Sequence, residues 1–163
     1  FMYTNDELAQ IRRSILLCGE LGCPGIVTGM QLRDGRLDSQ AMLRVVDLAG
    51  PMAVACHKVF DGVPDAAEAL EALVDAGCVR VLTSGLAADA MAGARVLQQL
   101  VHQAGGRITV MPGGGVRSGN IAELARITGA REFHSSAITQ RTAGADADAA
   151  EVRALVDQLS ARA

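Results

Sequence analysis

Three consecutive glycines, Gly113, Gly114 and Gly115, end a short apolar run in Arg107-Ile-Thr-Val-Met-Pro-Gly-Gly-Gly-Val-Arg-Ser-Gly-Asn120. Without Cβ atoms in the way, main-chain N–H groups there can point at a ligand, and a phosphate or carboxylate is the natural guest. A strained turn would explain one glycine but rarely three. Ser84, in Thr83-Ser-Gly85, could donate to a ligand oxygen or cap a turn, and Ser135 and Ser136 could add donors to the anion. His57 and His134 each end an apolar run, where an imidazole serves as acid or base, as a metal ligand, or as a structural hydrogen-bonding group. Lys58 is the only lysine of the chain, open to Schiff-base chemistry or to use as plain positive charge. Asp61 follows it closely enough to orient Lys58 or His57, or to begin a turn.

The elements that must position these residues follow one repeated unit. Thr4 and Glu7 form a capping box ahead of helical spacing at Leu8, Ile11, Ile15 and Leu16, and Gly22 stops the helix. A strand over Gly25–Thr28 comes next. Asp38 caps a second helix that ends near Gly50 before a strand over Met52–His57. Asp65 with Glu68 opens a third, which stops at Gly77 before a strand over Val79–Thr83. A fourth helix, Asp89–Ala104, feeds a strand over Arg107–Met111. Ser118 caps a fifth, Gly129 ends it, and Arg131–His134 is the last strand, with a closing helix over Ala149–Ala161.

Five strands, each followed by a helix through a short connection, require a parallel α/β sheet. In an open dinucleotide fold the glycine loop follows the first strand; here it follows the fourth of five. Phosphate sites of (β/α)8 barrels sit after strands seven and eight, and eight units take about 250 residues. The expectation is therefore the last five units of a TIM barrel, a single domain over residues 1–163, with the N-terminal strands missing. Such a piece leaves two sheet edges unpaired and one inner face open, so either the missing strands exist outside this sequence or the piece pairs with another chain through those edges, a homo-oligomer being one such pairing.

Composition excludes other classes. Half of the residues are hydrophobic and the net charge is −3, with arginines scattered, which argues against nucleic acid as a partner. No apolar run reaches membrane length and no signal peptide is visible. Cys18, Cys23, Cys56 and Cys78 show no paired spacing, as expected for reduced thiols in the cytoplasm.

At this point the residues become specific. Met111-Pro-Gly-Gly-Gly-Val-Arg-Ser-Gly-Asn120 followed by Arg131-Glu-Phe-His-Ser-Ser-Ala137 resembles the signature of the copper homeostasis protein CutC family. Val54-Ala-Cys-His-Lys-Val-Phe-Asp61 is similar to that family's Val-Thr-Phe-His-Arg-Ala-Phe-Asp, and Arg80-Val-Leu-Thr-Ser-Gly85 and Phe1-Met-Tyr-Thr4 also match, in the right order. The resemblance implies a cytoplasmic TIM barrel associated with copper tolerance, with copper as the metal. Cys56 stands where the family has Phe, and Lys58 where it has Arg, a residue that cannot form an imine. That departure favours plain charge for Lys58.

Strand alternation places Met52, Val54 and Cys56 on the helix-covered face and His57 inward at the mouth; Glu132, His134 and Ser136 also point together. His57 and His134 could then meet as metal ligands. Copper(I), however, prefers soft thiolate or thioether donors, and no cluster of Cys or Met is visible in the spacing. The alternative is a lyase or isomerase in which His57, Lys58 and Asp61 act on a small phosphorylated or carboxylated metabolite held by the glycine loop.

Overall fold

The computed structural model describes residues 1–142 and 146–160. Four parallel strands, β1 (Gly25–Thr28), β2 (Ala53–Cys56), β3 (Arg80–Thr83) and β4 (Thr109–Pro112), lie in the order β1-β2-β3-β4. The helices are α1 (Asn5–Glu20), α2 (Ser39–Ala49), α3 (Ala66–Asp75), α4 (Ala94–Ala104), α5 (Ile121–Thr128) and α6 (Ala149–Ser160). Each helix packs on the next in sequence. Strand order without a reversal, with helices stacked in the same succession, is the winding of a barrel segment; an open doubly wound sheet reverses direction.

Local chemistry explains most boundaries. The Thr4 and Glu7 box is formed on both sides, Asp38 accepts from Ala41 N, and Asp65 accepts from Ala67 N and Glu68 N. Three expectations are corrected. The segment over 131–134 is not a full strand: it meets β4 through one parallel bridge, Gly113 to His134, with His134 N donating to Pro112 O at 2.9 Å. Asp89 does not open α4; its carboxylate accepts from Ala92 N in a preceding turn, and the helix begins at Ala94. Ser118 does not cap α5, because its N–H and hydroxyl both donate to Glu151 of α6 (2.7 and 2.8 Å). Asn120 takes the N-cap position instead. For the closing helix, Ala161 lies outside the described residues.

The core lies between the sheet and the helices. Val54, Cys56, Val81, Thr83 and Val110 turn to that side and are 0–4% exposed, and Met42, Leu70, Leu73, Leu97 and Leu124 meet them from the helices. The opposite, inner face carries Ala53, Ala55, Leu82 and Met111, and it is open at β1, where Val27 is 66% exposed. On this face Arg80 donates to Glu132 across β4, a two-bond ion pair that ties β3 to the segment of His134. No helix among the described residues is long and apolar enough to cross a membrane.

A second ion pair fastens α3 to the approach of β4. Arg107 grips both carboxylate oxygens of Glu71 (2.7 and 2.9 Å), and Gln103 adds a third donor; these hydrogen bonds hold Glu71 down at about 2. The folded-state value is depressed, so the stabilisation is present above the unfolded value near 4.5 and is lost as pH falls from there toward 2. An NMR titration of Glu71 in Arg107→Ala is expected to move its midpoint up toward the ordinary carboxylate range. An unmoved midpoint would remove the pair from the acid limb.

Candidate functional site

The C-terminal ends of β2, β3 and β4 and the turn after His134 form one mouth. Lys58 and Asp61 lie on the short 3-10 helix over Lys58–Gly62 that follows β2. The carboxylate of Asp61 turns toward the end of β3: it accepts from the Thr83 hydroxyl, from Ser84 N (2.9 Å), from the Ser84 hydroxyl (2.9 Å) and from Leu86 N (3.3 Å). It also pairs with Lys58 Nζ at 3.2 Å. Thr83 and Ser84 are completely buried, so Asp61 satisfies donors that no water reaches. The structure thus joins Asp61 to Lys58, and it gives the Ser84 hydroxyl internal acceptors at Asp61 and Ala87 O (2.7 Å).

Lys58 Nζ, with its side chain 43% exposed, is aimed at the glycine loop. A Cβ on Gly114 would stand 3.2 Å from Nζ, and Gly114 has φ +103°, a conformation that side chains rarely adopt. Gly113 N donates to Thr83 O and Gly114 O accepts from Ala90 N, both at 2.9 Å, which pins the loop to its neighbours. Among the described residues the amides of Gly114 and Gly115 donate to no protein oxygen. The loop therefore presents main-chain N–H groups beside an ammonium.

Arg117 was not singled out among the candidates, although it stands in the same motif. Its guanidinium donates to Val116 O (2.6 Å) and to the hydroxyls of Ser135 and Ser136 (both 3.2 Å). Ser135 in turn donates to Val116 O at 2.7 Å. The two serines thus hold a second cation two residues past the last glycine of the loop. Its position two residues after Gly115 was the available signal. Asp89 was likewise not proposed for the site; a Cβ on Gly115 would stand 3.3 Å from its own Cβ.

The two histidines take separate places. His57 caps the 3-10 helix: its Nδ1 accepts from Val59 N at 3.1 Å, so that nitrogen carries no proton. The ring packs on Phe1, centroids 4.4 Å apart, and lines a cavity between α1 and β1 with Tyr3 and Thr28. Burial, the largest cause, lowers its pKa below the ordinary imidazole value. His134 instead stands at Gly113, its Cβ 3.2 Å from where a Cβ on Gly113 would be. The described residues hold no group of three His, Cys, Asp or Glu placed to share a metal ion. Burial pushes the Cys56 thiol up to about 12 and Cys78 up to about 11, so neither supplies a thiolate at neutral pH.

The comparisons with known proteins agree with one another. The sequence profile of the CutC family matches residues 1–139. A CutC family protein of Parabacteroides distasonis is 44% identical over 137 residues, covering 84% of this chain and 56% of that protein. The mouse copper homeostasis protein cutC homolog is 40% identical over 144 residues, 88% of this chain and 53% of that one. The crystal structure of the putative copper homeostasis protein CutC from Streptococcus agalactiae superposes with a TM-score of 0.78 at 26% identity, over 82% of this chain and 65% of that chain. The chain spans about half the length of the curated relatives it matches.

Proposed function

This chain belongs to the CutC family, and from that premise we propose that it serves copper homeostasis in the cytoplasm by binding a small phosphorylated or carboxylated metabolite at its mouth. The observation that carries this reading is the meeting of Lys58 Nζ with the Gly114 backbone, 3.2 Å from a would-be Cβ, where two loop amides are without protein acceptors. An ammonium at Gly114, loop amides without protein acceptors and the Arg117 guanidinium two residues past Gly115 suit a compact anion. The four free cysteines suit a reducing compartment. His57 and His134 do not support a copper centre here, since their partners lie in different places.

The named lyase or isomerase alternative uses the same receptacle. It requires an acid or base at the bound anion, and His57, turned to Val59 N and Phe1, is not drawn to the glycine loop. Binding is therefore the better supported act.

The test is thermal denaturation of the full-length protein with increasing inorganic phosphate, against chloride at matched ionic strength. A saturable rise in Tm is expected. Lys58→Gln should weaken the apparent affinity about tenfold or more, the effect of one lost charge-assisted contact. Gly114→Val should abolish the rise by filling the loop. A rise absent from the parent protein, or equal in both variants, would sink the reading.

A further inference from the structure

At the other end of the strands, α1 closes in a Schellman turn. Gly22, at φ +72°, donates to Gly19 O (3.1 Å), and Cys23 donates to Cys18 O (2.9 Å). In this motif the two residues joined by the longer bond lay their side chains against each other, and normally both are apolar. Here both are cysteines. Their spacing of five residues matches no thiol motif, so the turn, not the sequence pattern, makes the pair. Burial, then hydrogen bonding and charge from Cys23, hold the Cys18 thiol above its ordinary value, as expected of adjoining sulfurs. Cys18 and Cys23 are only partly buried, whereas Cys56 and Cys78 are enclosed.

The turn has room for a bond between them. A disulfide needs Cβ atoms about 3.5–4.5 Å apart, which is side-chain contact distance. Gly19 and Gly22 lie between the two cysteines. Nothing stands within 4 Å of where a Cβ on Gly22 would be, and at Gly19 only the Met52 methyl comes near, at 3.6 Å. A small adjustment of the turn therefore meets no backbone neighbour. Each sulfur is also reached from its own side: Cys18 lines the cavity between α1 and β1 with Thr28 and His57, and Cys23 lines the one below β1 and β2.

We propose that Cys18 and Cys23 are a reversible oxidation site, a dithiol that a hydroperoxide converts into an intrachain disulfide across the end of α1. Cys23 is the attacking sulfur, since the raised Cys18 thiol yields less thiolate. Its thiolate takes the distal oxygen of the peroxide, the O–O bond breaks, and the departing hydroxide or alkoxide takes up a proton. The Cys18 sulfur then attacks the sulfur of the Cys23 sulfenic acid; the S–O bond breaks, the S–S bond forms, and the Cys18 proton leaves in the water released. Two electrons have passed from the dithiol to the peroxide, and thiol exchange restores both S–H groups. The bond ties the last turn of α1 to the residue two before β1. The site makes no use of the glycine loop, and it stands or falls separately from anion binding there.

Peptide mass spectrometry tests it on the unaltered full-length protein. Tryptic cleavage after Arg13 and Arg33 releases residues 14–33 as one peptide that holds both Cys18 and Cys23 and neither Cys56 nor Cys78. The native protein is treated with a few equivalents of hydrogen peroxide, blocked with iodoacetamide and digested without reductant. The peptide is expected to be lighter by two hydrogen atoms and to carry no alkyl group, and dithiothreitol given before the block should return it doubly alkylated. In Cys18→Ser the lone Cys23 should accumulate a sulfenic acid that dimedone traps, and in Cys23→Ser the lone Cys18 should oxidise several-fold more slowly. The proposal fails if both cysteines of the treated protein are still alkylated, if the peptide carries only sulfinic or sulfonic acid, or if its sulfurs are joined to another cysteine or another molecule. Faster oxidation of Cys18 in Cys23→Ser than of Cys23 in Cys18→Ser would overturn the order of attack.

Discussion

Asp61→Ala is expected to destabilise the protein by about 3–5 kcal/mol, the range for removing one partner from a buried charged network. The cost comes from what is left behind. The Thr83 hydroxyl, Ser84 N, the Ser84 hydroxyl and Leu86 N lose their common acceptor, and Thr83 and Ser84 are fully buried. Lys58 loses its counter-charge and its aim toward Gly114. Asp61→Asn should cost clearly less, because one amide oxygen still accepts while the other side is lost. Urea unfolding midpoints of the two variants decide the matter. A loss below about 1 kcal/mol in Asp61→Ala would mean that water replaces the carboxylate, and that the mouth is looser than described.

Gly93→Ala is expected to cost about 3 kcal/mol, through overpacking against atoms that cannot rotate away. An alanine Cβ would stand 1.9 Å from Ser84 O and 3.1 Å from Gly85 Cα, all of it backbone. Either the start of α4 or the end of β3 must move, and the end of β3 is what Asp61 holds. The two substitutions act on Ser84 together, so their costs should not add. Gly119→Ala is the control: nothing lies within 4 Å of its would-be Cβ, and its unfolding midpoint should stay within about 0.5 kcal/mol of the parent. Equal midpoints for the two alanine variants would refute the close approach at Gly93.

Much of this architecture was legible in residue types because the signals are local. A threonine three residues before a glutamate, or an aspartate ahead of an apolar helix, satisfies N–H groups whatever surrounds it, and the starts of α1, α2 and α3 follow from that. The winding of four strands followed from the short connections between them. What escaped was set by distant partners. Ser118 looks like a cap until Glu151, from the far side of a connection, claims its donors. Arg131–His134 has strand character, but only β4 borders it and a single bridge forms.

The site divides along the same line. Glycine spacing marked the loop, and the single lysine marked its neighbour, because both are visible as types. Alternation could say that His57 and His134 end strands, but not which neighbour each would reach. Val59 N and Phe1 take up His57, and Gly113 takes up the place beside His134. Arg117 needed the serines after His134 for its position to carry meaning.

The ion pair of Arg80 and Glu132 has a consequence for how the molecule holds its own border. Neighbouring strands elsewhere are stitched by main-chain ladders, which ignore dissolved salt. The border segment is fastened by one backbone bridge and by charge, with both side chains partly in water at 34% and 43% exposure. Ions in solution weaken that second fastening and leave the ladders alone. The barrel segment therefore has one seam that answers to its ionic surroundings, and His134 sits on it.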